Sequence, residues 1–199
     1  MTDDILKKIN IEKDTYVRLL KDILATCRKT YLKLDMYYDK LLWYNSLIQT
    51  SVIIASTGST FIQSFLKEEH DDMVGIITLS VSTYSGLILS LVKFFKLDEK
   101  RENVHNLKDR FIELHNRIRH QLDILRPWQE EVYYNNPEEG YKYDLWKKII
   151  GDIVKEYENI ITIKKELFIE FDKLINSNIQ GEYQKKLIND IQIKHSGKK

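Results

Sequence analysis

Histidines, cysteines and clustered carboxylates are the side chains that most often do chemistry, and in this sequence they are few and scattered. The five histidines stand at positions 70, 105, 115, 120 and 195. His115 and His120 are five residues apart, which places them about 140° apart on a helix, too far to share a metal ion. The sequence contains neither an HExxH motif nor a glycine-rich phosphate loop. We therefore predict no catalytic residue, no metal, no cofactor and no enzymatic activity.

The single cysteine, Cys27, lies on an apolar stripe that runs along a predicted N-terminal helix. This position favours a small core residue over a nucleophile, and one cysteine excludes an intramolecular disulfide framework. The 31 Lys and Arg residues balance 30 Asp and Glu residues, for a net charge of +1. A chain that coats nucleic acid normally carries a basic excess, so we predict no nucleic-acid partner.

Two long stretches of the sequence contain no charged residue, and they define the organisation of the chain. Residues 41–66 and 73–92 contain no charged side chain, although 31% of the whole sequence is charged. A bilayer core of about 30 Å needs about 20 helical residues, so each stretch is long enough to span it. The short acidic segment 67–72 between them allows only an antiparallel pair. With two prolines and seven glycines in 199 residues, the sequence predicts an all-α fold built on a two-pass transmembrane hairpin.

The flanking charges predict the orientation of this hairpin. Nine Lys and Arg residues lie between positions 28 and 40 or between 93 and 108, against one in the segment 67–72. The positive-inside rule then places both termini in the cytoplasm, with Trp43, Tyr44, Phe94 and Phe95 at the cytoplasmic interface.

The alternative to a membrane hairpin is a soluble bundle with the two uncharged helices buried at its centre. The Asn, Gln, Ser and Thr residues of 41–66 support this alternative, because they lower the hydropathy of the first span.

Two patterns inside the predicted spans suggest what the hairpin does. Small residues recur every four positions, a spacing that lets membrane helices approach closely and predicts self-association. These helix-packing candidates are Ser51, Ala55, Ser59, Thr78, Ser82, Gly86 and Ser90. A polar stripe along the first span consists of Asn45, Gln49, Ser56 and Gln63. Such a stripe lines a pore in an oligomer or, alternatively, forms the hydrogen bonds that fix the hairpin.

The rest of the chain predicts long amphipathic helices. The helix before the first span continues into it, and the helix after the second span continues to Pro127, so that the two pack as an antiparallel stalk. A further helix from 145 has an apolar face too wide for a lone helix, and it must dock on the stalk or on another subunit. We expect Gly181 to end it. The predicted segments are 1–40 (cytoplasmic helix), 41–66 and 73–92 (spans), 67–72 (acidic loop), 93–126 (amphipathic helix), 127–140 (linker) and 141–199 (C-terminal helices).

This order of elements resembles the SLATT superfamily of two-transmembrane effector domains. The likeness lies in Tyr37-Tyr38-Asp39-Lys40 before the first span, in the small residues of the hairpin, and in Lys100-Arg101-Glu102-Asn103-Val104-His105 with the helix that follows. It covers about residues 15–126, and the 145–161 helix looks like an extension found in versions from large DNA viruses. The resemblance implies a pore-forming or membrane-perturbing role.

We therefore expect a non-enzymatic, self-associating two-pass membrane protein whose partners are membrane lipid and further copies of itself. One alternative is a structural protein of a viral virion, which anchors its inner membrane to a capsid protein through residues 141–194. The other is the soluble helical bundle, acting as an interaction module.

Overall fold

The computed structural model of the chain describes residues 2–66, 71–126 and 139–196, and all regular secondary structure in these ranges is helical. The five helices are α1 (Thr2–Leu66), α2 (Asp71–Phe94), α3 (Leu97–Leu125), α4 (Glu139–Leu174) and α5 (Ser177–Ser196). The predicted all-α class is confirmed. Most of the predicted acidic loop and of the predicted linker 127–140 lies outside the described residues.

The helices form two compact units. One comprises Met1–Leu34 and Asn106–Lys199, and it contains the first part of α1, most of α3, and helices α4 and α5. We call it the helical bundle. The other comprises Asp35–His105, and it contains the rest of α1, all of α2 and the beginning of α3. We call it the hairpin unit.

Three helices supply the core of the helical bundle. Each buries an apolar stripe whose residues recur every three, four, seven or eight positions, the spacings that keep one face of a helix turned toward its neighbours. The buried residues are Ile9, Val17, Leu20, Ile23, Cys27 and Leu34 of α1, Leu107, Phe111, Leu114, Ile118 and Leu125 of α3, and Trp146, Ile153, Ile160, Leu167 and Phe171 of α4. Helix α5 adds Tyr183.

Cross-helix contacts fix the directions of these helices. Helix α4 runs antiparallel to α3, because Phe111 meets Phe168 with ring centroids 5.8 Å apart whereas Arg117, farther along α3, pairs with the earlier Glu156 at 3.8 Å. Helix α4 runs parallel to α1, since its Trp146 contacts Glu12 and its Tyr157 contacts the later Tyr16. It follows that α1 and α3 are antiparallel in the bundle, as the predicted stalk requires.

The wide apolar face of α4 docks on the stalk of the same chain. Trp146 is 1% exposed, and its indole N–H donates a hydrogen bond of 3.0 Å to a carboxylate oxygen of Glu12 on α1. Ile153, Ile160 and Leu167 continue the same face at intervals of seven residues and are buried. Of the two docking surfaces that the sequence left open for this helix, the structure uses the stalk.

Two helix ends differ from the prediction. Helix α2 stops at Phe94, and Lys96 then adopts a left-handed backbone conformation (φ 50°) before α3 begins, so the expected uninterrupted helix is broken. At the other end of the chain α4 ends at Leu174 and Gly181 lies inside α5. The cause is Asn176, whose side-chain oxygen accepts hydrogen bonds from the Asn178 backbone N–H and the Ser177 hydroxyl and so caps a new helix.

Candidate functional site

The hairpin unit exposes an apolar surface of the kind that a lipid bilayer covers. Sixteen large apolar side chains between positions 42 and 95 are exposed, against six in the described part of the helical bundle. Leu79 is 70% exposed, Ile54 67% and Ile76 66%. Soluble monomers rarely leave apolar patches larger than a few hundred Å² in contact with water.

One helical segment in the described part of the chain, Asp72–Leu125, is long and apolar enough to cross a membrane by length and composition. An 18-residue stretch of it has a mean hydropathy of 1.7, and 6% of that stretch is buried. The core helix of a soluble protein would instead be mostly buried. Helix α1 does not reach the same apolarity in its run 41–66, so the two-pass hairpin and its orientation remain predictions.

Helices α1 and α2 pack along a seam that alternates three-residue and four-residue steps. The residues buried or half-buried there are Leu41, Asn45, Ile48, Val52, Ala55, Ser59 and Ile62 of α1, and Val74, Thr78, Val81, Ser85, Ile88 and Val92 of α2. This is the average repeat of 3.5 residues that keeps two helices in contact as they wind around each other. Apolar β-branched and small side chains thus hold the pair together.

Side-chain hydrogen bonds cross the seam between α1 and α2. The Gln63 amide N–H donates to the Thr78 hydroxyl oxygen at 2.7 Å, and the Tyr84 hydroxyl donates to the Ser51 hydroxyl oxygen at 3.1 Å. The Thr78 hydroxyl itself donates to the Val74 carbonyl oxygen, 2.9 Å away on its own helix. Sequence reasoning missed Tyr84, although its place three residues after seam position 81 and four before seam position 88 puts it at the edge of the interface.

The predicted helix-packing residues divide into two groups. The four on or beside the seam are Ser51, Ala55, Ser59 and Thr78. The remaining three, Ser82, Gly86 and Ser90, are exposed on another face of α2. A strict spacing of four advances about 40° per step around a helix, so the row that starts at Thr78 has turned about 120° by Ser90. A Cβ atom built on Gly86 would meet nothing within 4 Å.

The predicted pore-lining residues divide in the same way. Asn45 is buried on the seam, and Gln63 is held there by its hydrogen bond to Thr78. Gln49 and Ser56 lie at the edge of the seam and are exposed. One half of the polar stripe therefore serves the contact between α1 and α2, and the other half faces outward.

One polar atom on the seam has no partner in the described part of the chain. The Ser85 hydroxyl oxygen is buried and forms no hydrogen bond there. An unpartnered buried hydroxyl costs free energy, which helix pairs in a membrane reduce by bonding to backbone or to a neighbouring helix.

Aromatic pairs lie at one end of the hairpin unit. Trp43 and Tyr44 meet edge to face with centroids 5.2 Å apart, and Phe94 and Phe95 do so at 5.3 Å. The Lys40 ammonium lies 6.0 Å from the centroid of the Tyr44 ring. Exposed aromatic rings next to basic side chains are typical of the interface between a bilayer and water.

Two of the three parts of the chain on which the resemblance was based, 37–40 and 100–105, meet in the hairpin unit. The rings of Tyr38 and His105 lie with centroids 5.8 Å apart and planes inclined by 30°. Next to them, burial raises the pKa of the Tyr37 hydroxyl. This contact joins the end of the unit where α1 enters to the end where α3 leaves.

The histidine, cysteine and carboxylate side chains of the described residues do not converge on one point. No three His, Cys, Asp or Glu side chains in the described ranges are close enough together to hold a metal ion. Cys27 is 2% exposed, and burial raises the pKa of its thiol to about 11, opposed by the nearby Lys164 ammonium. A thiol with such a pKa is almost wholly protonated near neutral pH and is a poor nucleophile.

Comparison with other proteins adds no further constraint: no protein-family model, curated protein or solved structure matches the chain. The candidate site therefore rests on the chemistry of the hairpin unit, with its exposed apolar surface, the hydrogen bonds across its seam and its outward-facing small residues.

Proposed function

We infer that this chain is a membrane protein whose hairpin unit inserts into a bilayer, self-associates there and perturbs the membrane. The observation that carries this proposal is the exposed apolar surface of α2, which no part of the hairpin unit covers in the described residues. Burial of apolar surface is worth about 25 cal/mol per Å², so leaving sixteen large side chains in water is strongly unfavourable. A bilayer removes this cost without a protein partner.

Insertion of α1 and α2 as a pair explains how the more polar helix, α1, can enter the bilayer. Alone, residues 41–66 carry three uncompensated amide side chains into lipid. Paired with α2, Asn45 is buried between the helices and Gln63 is hydrogen-bonded to Thr78. The basic flanks of the hairpin then favour cytoplasmic ends.

Self-association is supported by the face of α2 that bears Ser82, Gly86 and Ser90. These small residues are exposed, and a Cβ atom built on Gly86 would meet nothing within 4 Å. Small residues on a lipid-facing helix surface allow a second helix to approach closely, which is the main source of helix association in bilayers.

The perturbing activity is supported by Gln49 and Ser56. Both are exposed on a surface otherwise rich in apolar side chains, and an amide in lipid is unfavourable unless it finds a polar partner or water. In an oligomer these residues line a hydrated path, which agrees with the role that the SLATT resemblance implies. The alternative of a capsid-anchoring protein needs a partner surface on residues 141–194, and the burial of Trp146, Ile153 and Ile160 inside the helical bundle leaves less of that region for a partner.

The test is leakage from phosphatidylcholine vesicles that contain a self-quenched dye and the reconstituted full chain. We expect the wild-type protein to release dye and to form cross-linked oligomers. Gly86→Leu should reduce both at least tenfold, because it fills the open face of α2 without a clash in the single chain. The matched control is Ser80→Leu, an exposed position about 120° away on the same helix, which should leave both unchanged.

The other outcomes separate the parts of the proposal. Oligomers without leakage would refute the perturbing activity and favour a structural role for the hairpin. Equal loss in Gly86→Leu and Ser80→Leu would refute the small-residue face as the contact.

A further inference from the structure

The helical bundle contains a groove between α1 and α3 that the membrane function leaves unused. It has a volume of about 480 Å³ and lies entirely within this unit. Its lining consists of Cys27, Arg28, Tyr31 and Leu32 from α1, and Phe111, Ile112, His115 and Arg119 from α3. This volume falls in the range of sites that hold a small organic molecule.

The lining combines an apolar floor with basic groups. Phe111 and Cys27 are buried beneath the groove, whereas Leu32 and Ile112 expose 37% and 42% of their surface. Arg28 and Arg119 are exposed, one on each helix, and His115 is half-buried. None of the described residues that line the groove is a carboxylate.

The two arginines are not neutralised by the described part of the protein. Neither Arg28 nor Arg119 forms an ion pair there, although Arg101, Arg110 and Arg117 all do. The local sequence explains the isolation of Arg28, because no acidic residue stands between Asp22 and Asp35. An arginine that a protein does not pair is free to bind an anion through its fork of N–H donors.

The environment of His115 indicates that positive charge is concentrated in the groove. Burial lowers the pKa of its imidazole, and the Arg119 and Arg28 guanidinium groups lower it further. Two further basic groups lie close to the lining: the Lys108 ammonium is 5.6 Å from the centroid of the Tyr31 ring, and Lys164 of α4 is close enough to Cys27 to lower the pKa of its thiol. An anion placed between the two arginines would relieve this repulsion and favour the protonated form of His115.

We propose that the groove between α1 and α3 binds an amphiphilic phosphate, with the phosphate held by Arg28 and Arg119 and the apolar body lying on Phe111 between Leu32 and Ile112. Inorganic phosphate alone would bind only the two arginines of this groove. A neutral apolar molecule would contact only its apolar side chains. The chemistry accommodates a soluble aromatic phosphate ester or a lipid phosphate monoester, and the experiment distinguishes these two sources.

The experiment uses the full chain in the uncharged detergent dodecyl maltoside, and it follows the His115 imidazole proton by NMR, with His115→Gln to assign the signal. The probes are 1-naphthyl phosphate, 1-naphthol, inorganic phosphate and micelles doped with phosphatidic acid. We expect the phosphate ester, the lipid or both to raise the His115 pKa, with an affinity at least tenfold above that of inorganic phosphate. Whichever of the two binds identifies the source.

Variants of matched charge show whether the site is specific. Arg28→Gln and Arg119→Gln should each weaken binding at least tenfold. Lys29→Gln removes the same charge one residue away, outside the groove, and should change the affinity less than twofold. The proposal is overturned if neither phosphate amphiphile shifts the His115 pKa, if 1-naphthol binds as tightly as its phosphate, or if Lys29→Gln weakens binding as much as Arg28→Gln.

Discussion

The Gln63 side chain donates a hydrogen bond of 2.7 Å to the Thr78 hydroxyl across the contact between α1 and α2. In the sequence these residues belong to two different patterns, Gln63 to the polar stripe and Thr78 to the row of small residues. Their hydrogen bond lies at the seam between α1 and α2, so Gln63 stabilises the packing of the hairpin.

This relationship predicts a measurable coupling between the two side chains. In a double-mutant cycle with Gln63→Leu and Thr78→Val, we expect an interaction free energy of about 0.5–1.7 kcal/mol, the range found for side-chain hydrogen bonds between membrane helices. The measurement is unfolding of the full chain in mixed detergent micelles, followed by circular dichroism. Gln49→Leu combined with Thr78→Val is the control pair and should show no coupling, since Gln49 is exposed. Equal coupling in both pairs would contradict the assignment.

Lys96 connects α2 and α3 in a conformation that glycine adopts more easily. A side chain in the left-handed region costs about 1–2 kcal/mol, and the exposed ion pair of Lys96 with Glu99 at 2.9 Å offsets little of that. We therefore expect Lys96→Gly to be more stable than Lys96→Ala by about 1 kcal/mol, because both variants lack the ion pair and only alanine keeps the strain. Thermal unfolding of the two variants measures the difference. An alanine variant as stable as the glycine variant would rule out strain at this position.

Among the described residues of the helical bundle, Trp146 is the largest fully buried side chain. Truncation to alanine removes its hydrogen bond to Glu12 and leaves a cavity between α4 and α1, so we expect a loss of about 3–5 kcal/mol. The control is Ile161→Ala at an exposed position of the same helix, which should cost less than about 1 kcal/mol. Urea unfolding monitored by circular dichroism gives both values. A loss near 1 kcal/mol for Trp146→Ala would mean that α4 does not dock through this residue.

The buried thiol of Cys27 predicts a dependence of stability on alkaline pH. Its pKa is about 11 in the folded chain against 9.0 for an unperturbed thiol, so the unfolded state loses the proton first. The stabilising contribution is complete below pH 9 and declines between pH 9 and about 11, by up to about 2–3 kcal/mol. Because lysines and tyrosines titrate in the same interval, the quantity to measure is the difference in unfolding free energy between wild type and Cys27→Ala. A difference that stays constant from pH 8 to 11 would contradict the raised pKa.

The sequence predicted the helical elements well where apolar periodicity was continuous. It predicted the unbroken run of α1 into residues 41–66, and the need of the 145–161 face for a docking surface. It missed the end of α2 at Phe94 and the cap at Asn176. Nothing in the sequence at Lys96 indicates a left-handed backbone. The helix end was predicted at Gly181 instead of Asn176, because glycine is common after helix ends, but glycine is also tolerated within helices.

The candidate site was predicted less completely, for a geometric reason. A row of small residues spaced by four follows a line that drifts around the helix, whereas two packed helices follow the 3.5-residue repeat. The row beginning at Thr78 therefore starts on the seam and leaves it by Ser82. The groove with Arg28 and Arg119 was not predicted at all, because these arginines lie 91 positions apart in the sequence and only the antiparallel packing of α1 and α3 brings them to one groove.

The central claim is that the uncharged helices of the hairpin unit lie in a bilayer. The most direct measurement is alkaline carbonate extraction of the particulate fraction from cells that express the full chain. We predict that the protein stays in the pellet and is released only by detergent, since carbonate removes proteins held by charge but not helices held by lipid. Release into the soluble fraction would contradict the account, and the uncharged stretches would then belong to the buried centre of a soluble assembly.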